Sequence, residues 1–148
     1  MTPSRIAIHE AAHAVTAEVL SPGCVEYVDM APAPSSYEEW APSLGLAHVD
    51  AYVRWDSFFM GQSEFAAVVY ASKWAEIEIG ADWKAHCRGD LNAARIHVHR
   101  FFRPSASRRA KKIVKEHWDE ILALAEELDK WPMLFGPSIR EAIQRASA

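Results

Sequence analysis

Apolar positions along this chain recur mostly at helical spacing, with one short stretch of a different period between the first and second helical runs. Thr2-Pro3 opens the first run, a hydroxyl at the cap followed by proline at the first helical position. An alanine-rich segment continues to Leu20, where Ser21-Pro22-Gly23 stops it. Across residues 24–53 the spacing changes. Val25, Tyr27 and Val28 predict one short strand, a Pro/Ser-rich loop covers residues 31–43, and residues 44–53 predict a second strand. A loop of about a dozen residues in a small domain is usually functional or mobile.

Helical spacing returns after Asp56, with Phe65, Val68, Val69, Ser72, Ala75, Glu76 and Ile79 on one face and an end near Gly80. Gly89-Asp90 begins another helix with the stripe Leu91, Ala94, Val98, Phe101 and Phe102, punctuated by Pro104. The longest helix is predicted over residues 105–130, with Ala110, Val114, His117, Ile121, Leu124 and Leu128 at core spacing and Trp131-Pro132 closing it. A last short helix starts at Gly136-Pro137. The fold class is mainly α with a small two-stranded β-element, and there is no internal repeat.

A length of 148 residues, half of them hydrophobic, fits one domain spanning 1–148 with a sizeable core. The net charge of -4 gives no reason to expect a nucleic acid or a membrane as partner. The basic run over residues 107–112 lies in a helical pattern and reads as a solvated face rather than a phosphate site. No secretion signal and no membrane-length apolar run is evident, and the two cysteines, Cys24 and Cys87, form no Cys-x-x-Cys pair. The expectation is a cytoplasmic protein without a cysteine-rich structural zinc site.

Candidate chemistry is concentrated in His9-Glu10-Ala11-Ala12-His13. Two imidazoles four residues apart share a helical face and can bind one zinc ion, while the glutamate between them projects beside the metal's open side. Zinc acidifies a bound water and polarises a carbonyl, and a nearby carboxylate takes the proton. The alternative is that all three are ordinary polar residues on a solvent-facing stripe.

A catalytic zinc also needs a third protein ligand. Asp90, Glu76, His86, Cys87, His97, His99 and His117 are the candidates. Asp90 stands at a helix start, where unpaired N–H groups favour an ionised carboxylate; a plain helix cap is the other reading. His97, seven residues on and on the same face, is the next choice, and His117 lies on a core stripe. Glu76 falls on an apolar face and needs a partner there: the outer nitrogen of His9 or His13, or an arginine such as Arg95.

Three segments, in order, resemble the peptidase domain of the FtsH-type ATP-dependent zinc metalloproteases. Residues 8–15, Ile-His-Glu-Ala-Ala-His-Ala-Val, look like that family's first motif; Ala71-Ser72-Lys73-Trp74-Ala75-Glu76 resembles its Ala-Gly-Arg-Ala-Ala-Glu segment; Gly89-Asp90-Leu91-Asn92-Ala93-Ala94 is similar to its Asp-Leu-x-x-Ala-Thr segment. The resemblance implies a helical zincin-like metallopeptidase domain with Zn2+ on His9, His13 and Asp90, and Glu10 as general base. Ala12 stands where the family usually has glycine, and Ser72 and Trp74 replace small residues. The sequence contains no Gly-x-x-x-x-Gly-Lys-Ser/Thr loop, and the expectation is a peptidase domain that does not unfold substrates by its own ATP hydrolysis. The expected activity is endopeptidase cleavage of peptides or unfolded proteins, with an extended peptide pairing on the sheet edge and a separate ATPase partner or a homo-oligomer as candidate associates. Two rival readings are a catalytically silent metal-stabilised binding or regulatory domain, whose partner surface could include Trp40, Trp55, Trp83 and Trp131, and a zinc hydrolase of another amide.

Overall fold

The first helix, α1 (Arg5–Leu20), is buried from Ala7 through Glu18 without interruption. Its sequence explains this: Ile, Val and Ala occur on every side, so it has no wet face and must sit inside the other elements. Its start is two residues later than Thr2-Pro3 predicts. Ser4 is the cap, its hydroxyl accepting from the Ala7 N–H at 3.2 Å, and Asp129 accepts from both the Ser4 N–H and Oγ at 2.6 Å. That second anchor selects Ser4 over Thr2. At the other end, Gly23 adopts a φ of 86°, which glycine reaches without strain.

The computed structural model describes residues 2–30, 52–55 and 60–148, and for Tyr52, Arg54 and Trp55 the backbone only. β1 (Val25–Asp29) pairs antiparallel with β2 (Tyr52–Trp55), Val28 facing Val53. The predicted loop of residues 31–43 and most of the second predicted strand lie outside the described residues. β1 also pairs on its other side with β3 (Met133–Phe135), giving the order β2-β1-β3. β3 is not evident from sequence periodicity: three residues with a single buried one, Leu134, are too few to show alternation.

α2 (Gln62–Glu78) buries Val68, Val69, Ser72, Ala75 and Glu76 as predicted, although Ile79 lies beyond its end and is exposed. A short α3 (Trp83–His86) precedes α4 (Arg88–His97), which begins before Gly89 and keeps Asp90 in its first turn. Of the predicted stripe, Ala94 and Val98 are buried, whereas Phe101 and Phe102 are exposed because the helix stops at His97.

The long helix predicted over residues 105–130 is two helices, α5 (Arg103–Glu116) and α6 (Trp118–Lys130). His117, at φ -113° and ψ 28°, breaks it. It is therefore not a core histidine; its Nδ1 lies 3.2 Å from Glu120 Oε1. Arg108, Arg109, Lys111 and Lys112 of the basic run are exposed, as expected of a solvated face.

α7 (Gly136–Ser147) closes the chain. Its first residue approaches β1 so closely that a Cβ on Gly136 would collide with the Val25 carbonyl. Among the described residues the architecture is thus mainly helical, with α1 packed between α2 and α6 and touching α5, α7 and the sheet. Both cysteines are buried and neither is in a disulfide, and no described helix is long and apolar enough to cross a membrane. Of the tryptophans named above, Trp131 is exposed and Trp83 is partly covered by Lys73, 4.4 Å from its ring centroid; the side chains of Trp40 and Trp55 lie outside the described residues.

Candidate metal centre

His9 and His13 sit one turn apart on α1, both buried, their ring centroids 5.1 Å apart. This sets aside the solvent-facing stripe. Each imidazole is fixed through Nδ1. That of His9 donates to Glu76 Oε1 at 2.9 Å, and that of His13 donates to the Val68 carbonyl at 2.8 Å. With both Nδ1 atoms engaged, both Nε2 atoms converge on one point, where they stand 3.1 Å and 3.3 Å from the same oxygen, Asp90 Oδ2.

These three atoms suit a metal. Ligands about 2.0–2.1 Å from a tetrahedral ion stand about 3.3–3.4 Å from one another, and two imidazole nitrogens with one carboxylate oxygen make a zinc donor set that leaves a position open. Glu10 is buried beside them, with Oε1 3.9 Å from His9 Nε2. Burial pushes its carboxyl above the ordinary range, although His9 and His13 pull the other way.

Asp90 is held well below the usual carboxylate range: burial opposes this, but the attraction of His13 and hydrogen bonds from both histidines prevail. Ser72 Oγ donates to Asp90 Oδ2 at 2.5 Å. Ser72 lies on the helix face the sequence predicts to point inward, one turn before Glu76, but spacing alone gives it no polar partner.

Glu76 is completely buried and satisfies both alternatives raised for it. It accepts from His9, and it pairs with an arginine, but that arginine is Arg5 at 2.6 Å; Arg95 is exposed. His86 Nδ1 donates to the other oxygen at 2.9 Å. His86 is therefore engaged with Glu76 and lies outside the group of ligand atoms. Cys87 forms a second grouping with His9 and Glu76, but the Arg5 guanidinium on Glu76 repels a cation there. His97 is exposed and lines an open cleft with Met60, Gln62 and Phe65, and His99 Nδ1 accepts from the Phe101 N–H at 3.2 Å. Neither histidine joins the ligand cluster.

Near the cluster, Thr16 continues the face of His9 and His13 along α1, and its buried Oγ1 has no hydrogen-bond partner among the described residues. No protein-family model matches the chain, and comparison with curated proteins returns no match.

Proposed function

We propose that the chain is a zinc-dependent endopeptidase-type hydrolase acting on peptides or unfolded protein segments, on a helical zincin-like domain similar to the FtsH-type peptidase domain. The observation supporting this is the convergence of His9 Nε2, His13 Nε2 and Asp90 Oδ2 at one point, beside a buried carboxylate that is not among the three. What a zinc ion supplies when bound there is acidification of a water molecule and polarisation of a substrate carbonyl. His9, His13 and Asp90 hold and orient; Glu10 takes the proton of the attacking water and delivers it to the departing amine. A carboxyl whose proton affinity is raised by burial is suited to both halves of that transfer. β2, an outer strand of the described sheet, packs beside α1 and offers backbone groups to an extended substrate. These 148 residues carry no phosphate-cradling loop, so the substrates proposed for this domain are flexible or already unfolded.

Metal content and casein cleavage test the reading, measured on untagged protein for the wild type, His13→Ala, Asp90→Ala and Glu10→Gln. The expected result is one zinc per chain, lost in the first two variants and kept in Glu10→Gln with cleavage reduced at least about a hundredfold. A wild type that takes up no zinc overturns the proposal. Zinc without cleavage favours the silent binding domain, for which the Ser72, His9 and His13 contacts to Asp90 already provide a self-contained site.

A further inference from the structure

Charge is distributed very unevenly along the chain. Residues 88–115 hold nine of the 16 Lys and Arg but only one, Asp90, of the 20 Asp and Glu; a chain of net -4 therefore carries +8 on this segment and -12 elsewhere. The segment is α4, the turn after it and nearly all of α5. Arg108, Lys111, Lys112 and Lys115 lie at spacings that share one α5 face, and all four are exposed.

Apolar side chains stand in water at the end of α4 and in the turn that joins it to α5: Ile96, in the last turn of α4, is 53 % exposed, and Phe101 and Phe102, in the turn, are 78 % and 39 % exposed. It is held by its own hydrogen bonds. The Phe102 N–H donates to the His99 carbonyl at 3.0 Å, the Phe101 N–H to His99 Nδ1 at 3.2 Å, and Arg103 Nε to the Val98 carbonyl at 3.2 Å. Phe101 thus projects from a formed turn, the pair Phe101-Phe102 being flanked by Arg100 and Arg103 in the sequence, with Arg95 next to Ile96.

We infer that the α4–α5 turn docks this protein on an anionic lipid bilayer, Phe101, Phe102 and Ile96 entering the boundary between headgroups and acyl chains while Arg95, Arg100 and the α5 stripe meet lipid phosphates. Exposed apolar side chains interleaved in sequence with exposed arginines, and followed by the exposed α5 stripe, match both layers of such a surface, and neither part alone does. The net charge of the whole chain hides this, because the acidic residues that balance it lie outside the segment. A single-stranded nucleic acid fits less well. The two phenyl rings meet edge to face, 5.7 Å apart and at 87°, so they offer no pair of parallel stacking faces, and Ile96 has none. The inference does not depend on the zinc site.

Co-sedimentation of the full chain with vesicles tests it, using phosphatidylcholine alone and an equal mixture with phosphatidylglycerol, at low and high salt. The expected result is pelleting with the anionic vesicles only, weakened by salt. The double variant Phe101→Ser with Phe102→Ser, whose charge is unchanged, should bind about tenfold less or weaker still, and Arg95→Glu with Arg100→Glu should do likewise. Circular dichroism checks that these exposed substitutions leave the helices intact. Failure of the wild type to pellet with anionic vesicles overturns the inference. So does binding that survives loss of both phenyl rings, or retention of a single-stranded oligonucleotide in place of the vesicles.

Discussion

Glu76 controls the orientation of His9. Burial works against its ionisation, but hydrogen bonds from His9, His86 and Arg5 prevail and bring its carboxyl down to about 2. An ionised Glu76 makes Nδ1 of His9 the donor, so that when the ring is neutral its lone pair is on Nε2, the nitrogen facing Asp90 and available to a metal. Arg5→Met, which removes one of the three donors, should weaken zinc binding about tenfold or more, with Arg5→Lys falling between. Competition against a coloured chelator measures it, and unchanged affinity would show that helix packing alone orients His9. The same cluster sets a pH dependence. In the metal-free chain Asp90 is depressed, burial opposing and the two histidines prevailing, so its contribution is present above the unfolded value near 4 and is lost as pH falls. His9 and His13 are raised, burial again opposing and Asp90 prevailing; their contribution is full below about 6.5 and is lost as pH rises through their folded values. Metal-free protein should therefore be most stable between about pH 4 and 6.5. Zinc needs the imidazoles neutral, so the gap in melting temperature between zinc-loaded and chelator-treated protein should widen from about pH 5.5 to 8.5. A constant gap would argue against histidine ligation. Thr16 gives a third outcome: with its hydroxyl buried and unpartnered among the described residues, Thr16→Val should leave stability unchanged or raise it by about 1 kcal/mol in urea unfolding.

Between elements, Glu18 is the main polar tie. At the end of α1 it accepts from the N–H groups of Gly23 at 2.8 Å and Val25 at 2.9 Å, and from Arg140 of α7 at 3.3 Å. Glu18→Ala strips three donors of their acceptor in a largely buried setting and should cost about 2–3 kcal/mol by urea unfolding, with zinc stoichiometry retained. A loss below about 0.5 kcal/mol would mean water replaces the carboxylate freely. The sequence signals differ in reach in the same way. His9, Glu10 and His13 could be read because helical spacing alone puts them together. Glu76 stood out because a carboxylate on an apolar face needs partners, yet their identity depends on how α1 crosses α2, so Arg5 was not named. Asp90 could be read as a candidate from its place at a helix start, where N–H groups favour an ionised carboxylate, but a cap has the same local sequence, and the motif resemblance is what sets it ahead of the other candidates. The break at His117 was hidden because apolar spacing continues across it without glycine or proline; the sign in the sequence is electrostatic, with Lys115 ending α5 and Asp119 and Glu120 opening α6.

At the scale of the molecule, the centre draws on three helices with unequal support. α1 is enclosed on every side, and α2 packs along it and against α5. α4 is weakly held: Ala94 is its one fully buried residue, α3 before it has none, and the turn after it bears the exposed Phe101 and Phe102. Elements with so little buried surface open at low free energy. Asp90 contributes α4's part of the centre and meets α1 through His9 and His13, and α2 through Ser72. An ion shared by these residues would therefore join a helix with little buried surface to one buried along most of its length, and binding at about a hundred times the dissociation constant adds about 2.7 kcal/mol. The gain should be local. Amide hydrogen exchange across residues 81–98 should slow about tenfold or more when zinc is added, while α6 and α7, which contribute no ligand, keep their rates under conditions of local opening. Asp90→Ala should abolish the slowing without altering exchange in α6. Equal slowing throughout the chain would mean that α4 opens only with the whole fold, and no slowing in α4 while zinc is bound would mean that Asp90 is not a ligand.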